Sequence, residues 1–137
     1  MTMIDLHRGD VVLIAFPFIT PSDAPRKRRP ALVVQADRYN RRRAAVIIAA
    51  ITSTRTHEHL PCKVPVAKDS SEGREAGLRV DSIVDCQTLA TVPRDEIVRR
   101  LGRFPPELMR GIDHALEEAL GLTGSGDPGQ RDYTASS

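Results

Sequence analysis

Two residues in the chain have both the type and the setting for phosphate chemistry: Arg29, which stands immediately before Pro30, and Thr52, which follows the apolar run 44–51. A guanidinium is planar, stays charged at any ordinary pH and can hold two oxygens of one phosphate. Proline restricts the residue before it to an extended backbone, so the direction of Arg29 is partly set before any tertiary contact forms. The threonine hydroxyl can donate to a phosphate oxygen and accept at the same time, while its methyl still packs. Each residue also has a plainer explanation: a surface ion pair for Arg29, and for Thr52 a good strand end, which residue type and position alone favour strongly.

Around these two stand residues that could serve the same purpose. Arg26, Lys27 and Arg28 directly precede Arg29 and are suited to neutralising backbone phosphates, which would make binding weaken steeply with salt. A second cluster, Arg38, Arg41, Arg42 and Arg43, reads as solubilising surface. Ser53 and Thr54 can share the work of Thr52 or simply form a turn. Gln87 and Thr88 offer an amide and a hydroxyl for base edges, or else a neutral strand face. His57, Glu58, His59 and Cys62 invite a metal reading, but their spacing fits no four-ligand pattern and Cys86 belongs to a different element, so no metal site is expected. One of the histidines could still act as acid or base. Five aromatic residues are too few for base-stacking platforms, so recognition should lean on hydrogen bonds and charge.

The elements that must position these groups follow from pattern. After the Gly9-Asp10 turn signal, residues 11–16 form a β-branched apolar run suited to a strand buried on both faces. Residues 17–29 carry three prolines and then the basic cluster, which reads as a long loop. Pro30 fits the first position of a second strand, 31–34. A turn at 39–43 leads into a third strand, 44–51, with the character of a central one. Residues 62–67 form a fourth, placed at an edge by Pro65, and 68–77 read as a charged loop. Strand segments follow at 78–85 and 89–92, then a short helical turn at Pro93-Arg94-Asp95-Glu96. A closing helix begins at Pro106, puts Leu108, Met109, Ile112, Ala115, Leu116, Ala119 and Leu120 on one stripe, and is capped by Gly121. The result is a mainly β protein, a small partly open barrel with a C-terminal amphipathic helix.

Composition sets the bounds. With 137 residues, 40 % of them apolar, the chain makes one domain over 1–122, and residues 123–137, rich in Gly, Ser and Asp without periodicity, are expected to be a disordered tail. The net charge is only +2, but 17 of the 20 basic residues are arginines and several are bunched, so a polyanion would meet local patches. The longest apolar run has eight residues where a membrane helix needs about 20. Polar residues from Asp5 onward leave no readable secretory signal, and the cytoplasm is the expected compartment. Cys62 and Cys86 are then expected to be reduced and semi-buried.

Three blocks, Gly9-Asp10-Val11-Val12, Arg29-Pro30-Ala31-Leu32-Val33-Val34 and Ile51-Thr52-Ser53, stand in an order and spacing that resemble the MazF/PemK toxin family. Gly77-Leu78, Val80-Asp81-Ser82-Ile83-Val84, Leu101-Gly102-Arg103 and the helix through Leu120-Gly121-Leu122 extend the likeness over about residues 7–122. The resemblance implies an SH3-like barrel and a homodimer. It also implies an endoribonuclease toxin (mRNA interferase) of a type II toxin–antitoxin system, one that cleaves single-stranded RNA without metal or other cofactor. The 2′-hydroxyl would attack, leaving a 2′,3′-cyclic phosphate and a 5′-hydroxyl. The same resemblance implies a cognate antitoxin whose C-terminal segment lies in the RNA groove. It makes Arg29 and Thr52 catalytic, and leaves Arg26, Lys27, Arg28, Ser53, Thr54, Gln87 and Thr88 as RNA-binding candidates. One segment departs from the family pattern: where an acidic residue, Gln and Ile-Arg are common, the chain reads Gln87-Thr88-Leu89-Ala90.

Two other readings compete. A toxin on the same barrel can poison DNA gyrase, as CcdB proteins do, but those end in Trp-Gly-Ile and this chain has no Trp. A family member that binds RNA or antitoxin without cutting is the other, motivated by the altered 87–90 segment. An Arg29→Ala variant separates that reading from the nuclease.

Overall fold

The computed structural model describes residues 5–15, 28–41, 44–55 and 57–122. Arg26, Lys27 and the expected tail at 123–137 lie outside the described residues. In chain order the elements are β1 (Asp10–Ala15), β2 (Arg28–Val33), α1 (Asp37–Asn40), β3 (Ala45–Thr52), β4 (Lys63–Val66), α2 (Ser71–Ala76), β5 (Ser82–Pro93), a 3-10 turn (Arg94–Glu96), β6 (Ile97–Arg103) and α3 (Pro106–Leu120).

The strands form one antiparallel sheet in the order β4-β5-β3-β2-β1-β6. Its two edges, β4 and β6, are not hydrogen-bonded to each other, so the barrel is partly open, as the sequence reading expected. Pro65 does sit in an edge strand, where a missing amide proton breaks no ladder bond. Strand β3, flanked by β2 and β5, is the interior strand that its unbroken apolar run implied.

Strand alternation divides the core in two. Val11, Leu32, Ala49, Ile51, Val84 and Cys86 point to one face, where Met109, Ile112 and Ala115 of α3 and Phe104 cover them. Val12, Ile14, Ala31, Val33, Ile48 and Ala50 point to the other, against Leu6, Val92 and Ile97. Each fully buried aliphatic of this size contributes about 1.5–3 kcal/mol, so the stripe on α3 explains why a sheet with an open edge holds its helix. Helix α3 starts at its proline and ends at Gly121 in the left-handed conformation, as read from sequence, although Leu120 at the end of the stripe is exposed.

Two expectations are corrected, and one strand was not read from the sequence. Residues 68–77, read as a charged loop, contain α2: the Ser70 hydroxyl accepts from the Gly73 N–H and Gly77, at φ 73°, closes the C-terminus. A six-residue helix is too short for its periodicity to show. The segments 78–85 and 89–92 form one strand, β5, which starts only at Ser82 and is interrupted by a bulge. Strand β6, with the alternation broken by Arg99 and Arg100, was not recognisable from its pattern; it pairs with β1. Gly102 of β6 lies so close to α2 that a Cβ there would collide with the Glu75 carbonyl oxygen.

Buried charge fixes the N-terminal turn. Asp10 is fully buried and accepts from the His7 N–H at 2.9 Å and from Arg103 Nε at 3.1 Å, with Arg100 at 3.6 Å. Arg8 donates to Asp37 through its backbone and to Asp113 of α3 through its side chain, each at 2.6 Å. The Arg8 N–H, more than any other group, holds the Asp37 carboxyl below the usual carboxylate range.

Candidate active site

Arg29 belongs to β2 rather than to the loop before it, and its partner on β1 is Ile14. On its other side β2 pairs with β3 as Ala31↔Ala50, Leu32↔Ala49 and Val33↔Ile48. Carried two residues further, that register sets Arg29 opposite Thr52. Both alternate with residues of the second core face, Ala31 and Val33 on β2 and Ile48 and Ala50 on β3, so both side chains leave the same face of the sheet. The β2–β3 ladder stops at Ala31, beside Pro30, which has no amide proton to extend it.

The two groups are in a state suited to receiving an anion. Arg29 is half-buried, and its Nε is buried with no hydrogen-bond partner among the described residues. A buried donor left unsatisfied costs about 1–3 kcal/mol, so it needs an explanation, and an oxyanion ligand supplies one. The Thr52 Oγ1 accepts the Thr54 N–H at 3.0 Å, which fixes the oxygen and leaves its own proton to donate outward. Ser53 and Thr54 are exposed beside it. Arg28 alternates to the opposite side of β2, where it edges a hollow of ≈ 340 Å³ lined by Leu13, Pro30, Leu78 and Leu101. Of the two described residues of the basic segment, Arg29 lies on the face of Thr52 and Arg28 on the other.

Gln87 and Thr88 fall in the β5 bulge, where Ala50 pairs with Asp85 and the next residue, Ala49, with Leu89. Asp85 organises this bulge: its Oδ1 accepts the Gln87 N–H at 3.0 Å and its Oδ2 accepts the Thr88 hydroxyl at 2.8 Å. Gln87 is left exposed. Across β4, Lys63 is the register partner of Asp85 and approaches Oδ2 at 3.5 Å. Because Asp85 faces Ala50, both Asp85 and Lys63 lie on the face that carries Arg29 and Thr52. Sequence reasoning missed both, since Lys63 is a single lysine in a weak strand and its pairing with β5 has no local signal.

His57 and His59 are exposed in the loop after Thr54, and Arg55 anchors that loop through Glu58 at 3.1 Å and Asp81 at 3.6 Å. Among the described residues, no three His, Cys, Asp or Glu side chains come together as a metal site. Cys62 and Cys86 are unpaired and buried, with the Cys86 N–H bonded to the Cys62 carbonyl. Burial first, then the Cys62 sulfur and the Asp85 carboxylate, push the Cys86 thiol up to about 12. No helix among the described residues is long and apolar enough to cross a membrane.

Fold and site together define a small, mainly β, half-open barrel whose sheet face carries a half-buried guanidinium and a strand-end hydroxyl. Residues 7–120 match the model of the PemK-like, MazF-like toxins of type II toxin–antitoxin systems, and the chain belongs to that family. It is similar to the endoribonuclease MazF2 of Mycobacterium bovis, 35% identical over 99 residues, covering 72% of this chain and 82% of that protein. The endoribonuclease EndoA of Bacillus subtilis is 28% identical over 117 residues, 85% of this chain and 96% of its own. Among solved structures, a mycobacterial endoribonuclease in complex with its cognate antitoxin superposes with a TM-score of 0.66 at 27% identity, covering 85% of this chain and 96% of that one.

Proposed function

We propose that this chain, an endoribonuclease toxin like the relatives named above, cleaves single-stranded RNA, with mRNA as the target, by using Arg29 and Thr52 to hold one phosphodiester. The ribose 2′-hydroxyl adjacent to the scissile phosphate attacks phosphorus and gives up its proton to solvent water, the P–O2′ bond forms as the P–O5′ bond breaks, and the departing O5′ takes up a proton from solvent. The products are a 2′,3′-cyclic phosphate and a 5′-hydroxyl. Arg29 stabilises the extra negative charge on the pentavalent phosphate, because its guanidinium gives up no proton at working pH. Thr52 donates its hydroxyl proton to a phosphate oxygen or the 2′-hydroxyl and orients the attacking group. Ser53 and Thr54, exposed beside Thr52, and Gln87, exposed in the β5 bulge, contact flanking nucleotides, and Arg26 and Lys27 add charge for the backbone.

The observation that carries this reading is the β2–β3 register, which sets Arg29 and Thr52 on one face, together with a buried guanidinium nitrogen that has no partner among the described residues. The purified protein should cut a long single-stranded RNA in EDTA at defined sites, with end chemistry as above, and Arg29→Ala should abolish it. Wild-type protein that is folded, binds RNA and cuts none of a diverse RNA set would instead mark a binding-only family member, the reading that the 87–90 segment favours. We further propose action as a homodimer in the cytoplasm under the control of a cognate antitoxin, supported by the antitoxin complex of the mycobacterial relative.

A further inference from the structure

Lys63 carries a charge that the described part of the fold holds in place without using up. Its side chain is only 14% exposed, as is that of Asp85, yet among the described residues its ammonium has one polar partner, Asp85 Oδ2 at 3.5 Å. An ammonium has three donors, and a charge-assisted bond to a carboxylate ordinarily closes to about 2.7–2.9 Å. Asp85 cannot close that gap freely, because the Gln87 N–H and the Thr88 hydroxyl already fix its two oxygens at 3.0 and 2.8 Å. The pair is therefore a tethered ammonium with donors to spare, and it stands on the sheet face that carries Arg29 and Thr52.

Strand order sets the separation. Lys63 on β4 is three strands from Arg29 on β2, and adjacent strands lie about 4.8 Å apart, which makes roughly 14 Å. That is too far to serve the phosphate held by Arg29 and suits a different one along the same strand. We propose that Lys63, positioned by Asp85, is a substrate-binding residue that neutralises a second backbone phosphate of the RNA. The inference rests on the nuclease reading above. It makes the β5 bulge a scaffold with two products: Gln87 turned outward, and Lys63 held where an extended nucleic-acid strand crosses the sheet.

Neutralising one phosphate of a single strand contributes a slope of about −0.7 to the dependence of log affinity on log salt. Binding of a short fluorescein-labelled 2′-O-methyl RNA of mixed sequence, read by anisotropy from low to moderate salt, isolates this term because that strand cannot be cleaved. Lys63→Met should bind severalfold more weakly and flatten the slope by about 0.7, while Lys63→Arg should restore both. With cleavable RNA the loss should appear in KM and leave kcat nearly unchanged, which a merely structural lysine would not produce. Thermal melting shows that each variant is folded, and Lys63→Gln, which also removes the charge, carries the test if Lys63→Met does not fold. A folded Lys63→Met or Lys63→Gln protein whose slope and KM match wild type overturns the proposal. If Arg29→Ala nonetheless abolishes cleavage, the nuclease reading stands without it. If Lys63→Met flattens the slope but Arg29→Ala cuts as well as wild type, it is the nuclease reading at Arg29 that fails.

Discussion

The β2–β3 register, carried two residues past its last pair Ala31↔Ala50, sets Arg29 of β2 opposite Thr52 of β3, 23 positions apart in the sequence and on the same side of the sheet. The two residues share a face because the two strands share one register, and a slip of one residue would turn either side chain to the opposite face. The strongest predictions concern this pair.

Arg29→Ala should lower kcat about 10²–10³-fold, the usual cost of removing a preorganised donor from a transition state. Because Arg29 Nε is buried without a partner among the described residues, the same change should leave the melting temperature unchanged or raised. Arg29→Lys, which keeps the charge and loses the planar fork, should fall between. Single-turnover cleavage and calorimetry on the same preparations read both effects.

Thr52→Val keeps the branched shape but removes the hydroxyl and the acceptor for the Thr54 N–H. A loss of about 10–100-fold in kcat/KM is expected, corresponding to one hydrogen bond to a charged group. Thr52→Ser should retain most of the activity. Equal rates for the Val and Ser variants would show that the hydroxyl plays no part.

Asp10→Asn should destabilise the fold while leaving the cleavage step intact. The carboxylate is fully buried, but Arg100 and Arg103 are 39% and 58% exposed, so solvent screening limits the cost to about 1–2 kcal/mol. Urea unfolding measures it, and an unchanged midpoint would mean that the arginines contribute nothing through Asp10.

Cys86 should make stability fall in alkali. Its thiol has an ordinary value of 9.0 and is pushed up to about 12 in the fold, chiefly by burial. Below pH 9 both states hold the proton and the full contribution is present. As pH rises from 9 towards 12 the unfolded chain releases a proton that the folded chain retains, and stability is lost. Cys86→Ala should flatten unfolding free energy against pH over this window. In native protein at neutral pH, iodoacetamide should leave Cys86 unmodified until denaturant is added.

Much of this molecule was legible from local pattern. The β-branched run at 11–14, the proline before 31–34 and the apolar run that ends at Thr52 each declare a strand, because burial on two faces demands an unbroken apolar sequence. Pro106, the three-and-four spacing through Ala115 and Gly121 declare α3 by the same kind of local rule. Arg29 and Thr52 were visible as types of residue next to such signals. Strand pairing, by contrast, is a relation between distant segments and leaves no mark on either one. Only the tertiary structure decided that Arg28 would face away from Arg29, that β6 would cover β1, and that Asp85 would hold Lys63 on the face of the site. Local sequence sets which residues alternate and which are buried; the register between strands, fixed by packing of the whole sheet, sets which of them meet.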